Sequence, residues 1–217
     1  MITPLAASQW RAWHGDEFPH DCWRVEGEEL HAIAGMRRID LISLERYRDF
    51  VLRLEFALPA GGNSGLFCRV EEDADLSWHS GPEMQLLDDR EHSDGREPTT
   101  RNGALYGLLR PELETPIEPE QFIEAVLSVR GGEVEHWLDG RRVLRYRLDD
   151  PALHKRIADS KFSGYPRFAK ATEGHLVIQH HGEAARFRRL SIETPDRTVH
   201  LDPSAEISEN ALLSRLR

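Results

Sequence analysis

Residues 50–56, FVLRLEF, alternate between two kinds of side chain. Successive side chains of a strand point to opposite faces, so Leu52, Leu54 and Phe56 make one face and Val51, Arg53 and Glu55 the other. A period of two predicts a half-exposed strand rather than a helix, and the period recurs. In EMQLL, Met84 and Leu86 oppose Glu83 and Gln85; in GHLVIQHHG, Leu176 and Ile178 oppose His175, Val177, Gln179 and His181. Two strands remote in sequence, each with an apolar face and a face carrying Glu, Gln or His, are what a groove for a carbohydrate or another small polar ligand needs. Polar residues also line any sheet face that meets water, so both readings stand at this level.

Turn signals divide the rest of the chain into strands. Glu26-Gly27 breaks RVEGEEL, and PAGGNSG leads into LFCRV, where alternation puts Phe67 with Arg69 and Leu66 with Cys68 and Val70. Gly131-Gly132 and Asp139-Gly140 link FIEAVLSVR, EVEHWL and RRVLRYRL into a three-stranded meander. ALYGLL is a further short strand candidate, and GHLVIQHHG followed by ARFRRLSIE reads as a hairpin. DDPALHKRIADSKF has the spacing of a short helix, and SGYPRFAKATEG is a loop before the second polar-faced strand. Trp10, Trp13 and Trp23 suit core or rim packing, although tryptophan also stacks on pyranose rings. The expectation is an all-β, two-sheet antiparallel sandwich over residues 1–195. Residues 196–217 form a tail in which Leu212, Leu213 and Leu216 suggest a short C-terminal helix.

A chain of 217 residues suits one large all-β domain, and its 39% apolar content can fill a core. The net charge of −10 argues against nucleic acid as a partner, for which a basic patch is the usual footprint. No stretch reaches the roughly twenty apolar residues of a membrane span, and the first residues do not read as a signal peptide. A soluble cytoplasmic protein is expected, with homo-oligomerisation left open. Cys22 and Cys68 form no close-spaced metal or redox motif.

No nucleophile elbow, phosphate-binding glycine loop or paired-cysteine signature is present. What the residues offer is Glu83 with Gln85 and Gln179 with His181, each pair two positions apart, and Asp88, His136 and Lys161 as further candidates. A carboxylate and an imidazole converging on one substrate suit proton abstraction coupled to protonation of a leaving group, and glutamines bind hydroxyls. Arg69 could bind a carboxylate or sugar hydroxyls from the inward row of a groove, or lie along a sheet edge. Asp88, Asp89, His92 and Asp94 crowd possible cation ligands into the long polar loop 89–103, at a spacing that matches neither an EF-hand nor a zinc site.

The blocks CWRVEGEEL, YRDFVLRLEF, GGNSGLFCRV, SGPEMQLLDD, NGALYGLL, VRGGEVEHWLDGRRV, SKF and GHLVIQHHGEAARFRRLSI follow one another over residues 22–193. In order and spacing they resemble the 3-keto-disaccharide hydrolase domain family. The chain departs from the family pattern at Glu120-Gln121-Phe122, where Glu-Trp-Asn is usual, and at His180, where Asp is common. The resemblance implies a concanavalin A-like jelly roll with the ligand on its concave face. It also implies cleavage of glucosides already oxidised at C3, since a C3 ketone acidifies the C2 hydrogen and opens a β-elimination route, with hydration of the product to follow. On that basis Glu83 and His181 are the acid–base pair in an order left open, and Lys161 is the third catalytic candidate. Gln85 and Gln179 would hold hydroxyls, while Arg69, Asp88 and His136 would bind or orient the sugar. A divalent cation polarising the ketone fits this chemistry, with Glu83 and His181 as its candidate ligands. Two other readings are a noncatalytic carbohydrate-binding module and an interaction protein that uses the C-terminal segment.

Overall fold

The computed structural model describes residues 2–195, so the expected C-terminal helix lies outside the described residues. Thirteen strands run in chain order: β1 (Ile2–Pro4), β2 (Trp10–Ala12), β3 (Trp23–Glu26), β4 (Glu29–Ala32), β5 (Leu41–Tyr47), β6 (Phe50–Ala57), β7 (Asn63–Val70), β8 (Glu83–Leu87), β9 (Ile123–Arg130), β10 (Glu133–Leu138), β11 (Arg141–Arg147), β12 (Gly174–Ile178) and β13 (Ala185–Glu193). One α-helix, α1 (Pro151–Ala158), follows β11, started by Asp150, whose side chain accepts from the Ala152 amide at 2.8 Å. An eight-stranded sheet has the order β11-β10-β9-β6-β13-β4-β3, with β1 added on β13; a five-stranded sheet has the order β2-β5-β12-β7-β8. All named pairings are antiparallel. No helix of the described residues is long and apolar enough to cross a membrane.

The two sheets bury their apolar rows against each other. Leu52, Leu54 and Phe56 of β6 and Phe187 of β13 meet Leu66 of β7, Met84 and Leu86 of β8, and Leu176 and Ile178 of β12 in one core. Trp10 and Trp23 are buried in it as well. The meander β9-β10-β11 forms as the turn residues predict. The predicted hairpin of the last two strands does not, because β12 pairs with β5 and β7 whereas β13 pairs with β1, β4 and β6. The connection crosses from one sheet to the other: each strand has an apolar face to bury, and facing each other across the core satisfies both. ALYGLL is likewise not a strand. Its residues run along β8, where the Gln85 amide donates to the Ala104 carbonyl at 3.0 Å and the Gly103 amide to the Gln85 carbonyl at 2.8 Å. The loop thereby covers the edge of the sheet.

Alternation fails at one place in β7, and this relocates a predicted site residue. Between Phe67 and Val70 the strand takes three steps while its partner β12 takes two, from Val177 to His175. The extra residue is a β-bulge, with Arg69 in the left-handed region at φ 52°. Gly174 is the neighbour that permits it, since a Cβ there would stand 2.4 Å from the Arg69 carbonyl carbon. Phe67 and Val70 therefore share the outer face, and the Arg69 side chain turns away from it. The Arg69 guanidinium donates to the carbonyls of Gly131 and, at 3.3 Å, Arg48, tying together two turns at one end of the sandwich. It takes no part in the polar face that carries Glu83 and Gln85.

Asp88 also serves the fold. At 1% exposure its carboxylate accepts from the Gly61 amide at 2.9 Å and the Arg90 amide at 3.1 Å, while its own amide donates to the Gly62 carbonyl at 3.0 Å. It thus locks the turn between β6 and β7 onto the end of β8 instead of facing a ligand. Leaving a buried donor unsatisfied costs about 1–3 kcal/mol, so Asp88→Ala should lose about 2–3 kcal/mol in urea unfolding and Asp88→Asn less.

Candidate active site

The outer face of the five-stranded sheet is half apolar and half polar. Ile42, Phe67, Val70 and Val177 form a small cluster covered by Trp13 and Trp78, so the segment carrying Trp78 closes that end of the face. Beside it a cavity of about 230 Å³ is lined by Asn63, Glu83, Gln85, Gln179 and His181 from the sheet side and by Trp78, Tyr106 and Lys161 from the loops. Its volume lies below the ~300–1,000 Å³ of drug-sized ligand sites, which suits one small ring. The two polar-faced segments meet here as the sequence predicts. Between them lies β7, whose Gly65 carbonyl accepts from the Gln179 amide at 2.9 Å and whose Ser64 hydroxyl donates to the Gln179 carbonyl at 2.8 Å.

Glu83 lies against bare backbone. A Cβ on Gly65 would stand 2.2 Å from Glu83 Oε1, so the carboxyl occupies the space that any other residue at 65 would fill. Gln85 lies alongside; with its amide turned so that nitrogen meets acceptors, it donates to the Ser64 carbonyl at 3.0 Å and to Glu83 Oε1 at 3.2 Å. Burial pushes the Glu83 carboxyl up to about 8, against the pull of Lys161 and with the push of Asp40 and Asp94. Lys161 opens a short 3-10 turn, Lys161–Gly164, whose Ser160 cap accepts from the Phe162 amide at 3.1 Å. Its ammonium stands 4.5 Å from the centre of the Tyr106 ring and 5.1 Å from those of Trp78 and Phe162, a cation–π cage. Partial burial lowers the Lys161 ammonium, opposed by Glu83 and Asp94. Asn63 Oδ1 and Gln179 Oε1 have no hydrogen-bond partner within the protein, and both residues line the cavity. Buried polar atoms are normally paired, so Gln179 Oε1 is an acceptor ready for a ligand's hydroxyl and the Asn63 amide has one end open to the cavity.

His136 is not part of this cavity. It is 0% exposed between the sheets, where burial lowers its ring to about 4. The neutral ring uses Nδ1 to donate to the Gly103 carbonyl at 2.9 Å, with the Tyr146 hydroxyl 3.4 Å from Nε2. Strand alternation turns Trp137 outward and His136 inward, and the ring props the 103–106 loop behind Gln85. The suggested cation ligands also separate. Among the described residues one group of three ligand-type side chains converges, His92, His181 and Glu183, with ligand atoms within 4.8 Å of one another. Glu83 belongs to no such group, and of Asp88, Asp89, His92 and Asp94 only His92 does.

Several residues of the site escaped sequence reasoning. Tyr106 and Trp78 come from loops without a period. Asp40, just before β5, accepts from the Ser77 hydroxyl at 2.7 Å and the His180 amide at 2.9 Å, and burial raises it to about 6. It ties the Trp78 turn to the Gln179–His181 segment. Glu183 accepts from the His181 ring, Nδ1 to Oε2, at 2.9 Å; the i, i+2 spacing was visible, but only the turn after β12 brings the side chains together.

The shift of Glu83 has a measurable consequence. Its folded carboxyl keeps a proton up to about 8, whereas an exposed glutamate in the unfolded chain loses it near 4.5. Between those values the unfolded state binds fewer protons, so this group removes stability as pH rises. Glu83→Gln should therefore gain on the parent protein by a few kcal/mol between about pH 5 and pH 8, read from urea unfolding at each pH. A difference independent of pH would show the carboxyl to be ionised throughout.

Sequence and fold comparisons agree with this architecture. A curated 3-keto-disaccharide hydrolase from Bacteroides thetaiotaomicron is 27% identical over 222 residues, covering 86% of this chain and 74% of the relative. A candidate glycosyl hydrolase structure from Parabacteroides distasonis superposes with a TM-score of 0.80 at 24% identity, over 88% of this chain and 90% of that one. A carbohydrate binding module, CBM66, from Bacillus subtilis shares the fold with a TM-score of 0.56 at 16% identity, over 86% and 96% of the two chains. Residues 6–193 match the model of the 3-keto-alpha-glucoside-1,2-lyase-like domain, and the chain belongs to that family.

Proposed function

We propose that the protein cleaves glucosides oxidised at C3, by abstraction of the C2 proton and β-elimination of the C1 substituent, with water adding to the product to complete a net hydrolysis. The observation that carries this reading is the placement of a buried, proton-holding Glu83 and the His181 imidazole on one cavity with the Lys161 ammonium. The family membership and the activity named for the Bacteroides relative support it.

In this scheme His181 takes the C2 proton and the C2–H electron pair becomes the C1–C2 double bond. The C1–O bond breaks, and Glu83, which keeps its proton at neutral pH, delivers it to the departing oxygen. Negative charge that develops on the C3 oxygen is met by the Lys161 ammonium. Gln85, Gln179 and Asn63 bind the remaining hydroxyls. Hydration puts hydrogen on C2 and hydroxyl on C1. Two carboxylates flanking a glycosidic bond would suggest ordinary acid–base hydrolysis; a carboxyl paired with an imidazole and an ammonium instead suits carbanion chemistry.

The test is incubation with 3-keto-glucosides and with the unoxidised glucosides, following aglycone release by chromatography. Release should be confined to the keto substrates and fall by about 100-fold or more in Glu83→Gln and His181→Ala, with a transient enone absorbance marking elimination. Binding of unoxidised sugars without release from keto substrates would make the protein a carbohydrate-binding module.

A further inference from the structure

His92, His181 and Glu183 bring three metal-type ligands together at the edge of the cavity, yet their hydrogen bonds commit the atoms to something else. Glu183 is held below the ordinary carboxylate range: burial pushes it up, but the bond from His181, the bond to its own backbone amide and the neighbouring His181 and His92 rings outweigh this. An ionised carboxylate only accepts, so the proton in the 2.9 Å contact sits on His181 Nδ1. In the neutral ring this leaves the lone pair on Nε2, and His181 lines the cavity. His92 is fixed the opposite way. Its Nδ1 accepts from the Asp94 amide at 3.1 Å, capping the 3-10 turn Ser93–Arg96. The proton of neutral His92 is therefore on Nε2, which stands 3.4 Å from the amide group of Asn63. Asn63 is 2% exposed and its Oδ1 is the atom without a partner. Turning that amide over lets Oδ1 accept from His92 and presents Asn63 Nδ2 as a donor. A metal held by His92 Nε2 would have to displace its proton and break the cap on Asp94.

We propose that Glu183 is a positioning residue that fixes His181 with its proton on Nδ1, so that Nε2 acts as the base of the cavity, and that His92 is a hydrogen-bond donor orienting Asn63 rather than a metal ligand. The inference rests on the proposed elimination for the role of His181, but the tautomers stand without it. The charged groups around His181 are Glu183 and His92 on either side, Asp40 on the adjoining His180 amide, Arg38 against Gly182, and Glu83 and Lys161 on the same cavity. Of these, Glu183 is the one bonded to the ring.

The experiment is nitrogen-15 NMR of the histidine rings in the intact protein, with pH titration, on the parent and on Glu183→Ala and Glu183→Gln. The parent should show His181 protonated on Nδ1 and His92 on Nε2. Glu183→Ala should move His181 toward the Nε2-protonated form, whereas Glu183→Gln, whose amide oxygen can still accept from Nδ1, should keep the parent tautomer. On 3-keto-glucosides, Glu183→Ala should reduce kcat by about 10- to 100-fold with little change in KM, and Glu183→Gln should restore part of the loss. His181 keeping the same tautomer in Glu183→Ala would overturn the positioning role. So would one tight equivalent of Co²⁺ with intense visible bands that vanish in His92→Ala, which would make the cluster a metal centre. Intact tautomers without cleavage of any keto substrate would sustain the dyad and sink the elimination chemistry instead.

Discussion

The polar groups of the cavity are held where they are by the burial of their strand neighbours. Met84 and Leu86 are 0% exposed between the sheets, and so are Leu176 and Ile178. Fully burying such a side chain is worth about 1.5–3 kcal/mol, and a strand alternates, so Glu83, Gln85 and Gln179 must emerge on the other face. A slip of one residue would exchange the rows, driving a carboxyl into hydrocarbon and leucines into water. The core thus sets the register of the site, and β7 between the two strands supplies Gly65 to make room for the Glu83 carboxyl.

A sheet face alone would leave that carboxyl in water. Two loops make the environment unusual. The segment around Trp78 folds over the apolar half of the face, pinned through Ser77 to Asp40, and the 103–106 loop lies along β8 and brings up Tyr106. Lys161 then enters from the turn after α1 and lodges its ammonium among their rings. The low dielectric so created holds the proton on Glu83, and the same exclusion of water strengthens the field of Lys161 at any developing oxyanion. Arg69, Asp88 and His136 act one step removed: each satisfies backbone groups of turns or loops that shape the sandwich, and none lines the cavity of Glu83 and His181.

Strand alternation, turn residues and family blocks made much of this legible. The two-sheet architecture, the meander and the joining of the Glu83 and Gln179 strands on one face follow from local patterns, whereas Lys161 was pointed to by the SKF block of the family resemblance and by no period of its own. Arg69 was misplaced because one bulged residue inverts every later position on its strand, and a bulge depends on the partner strand rather than on the sequence of its own. His136 has the period of an inward residue, but neither inward direction nor its Gly103 partner can be read without knowing which sheet covers β10. The last two strands look like a hairpin because proximity in sequence favours pairing, until both faces need the same core.

What the sequence determined by itself is which side chains share a face, since the period of two is a property of the extended backbone. What the tertiary structure decided is which faces meet, which are roofed by loops, and which hydrogen bonds close at distances of about 3 Å. Glu83 is an ordinary surface glutamate by its strand pattern and a proton-holding acid only because Trp78 and Tyr106 arrive from remote segments to exclude water, against the pull of the Lys161 ammonium. His181 gains its orientation from Glu183 only once the chain turns after β12. Charge state and tautomer depend on surroundings within a few ångströms, and those surroundings exist only in the folded chain.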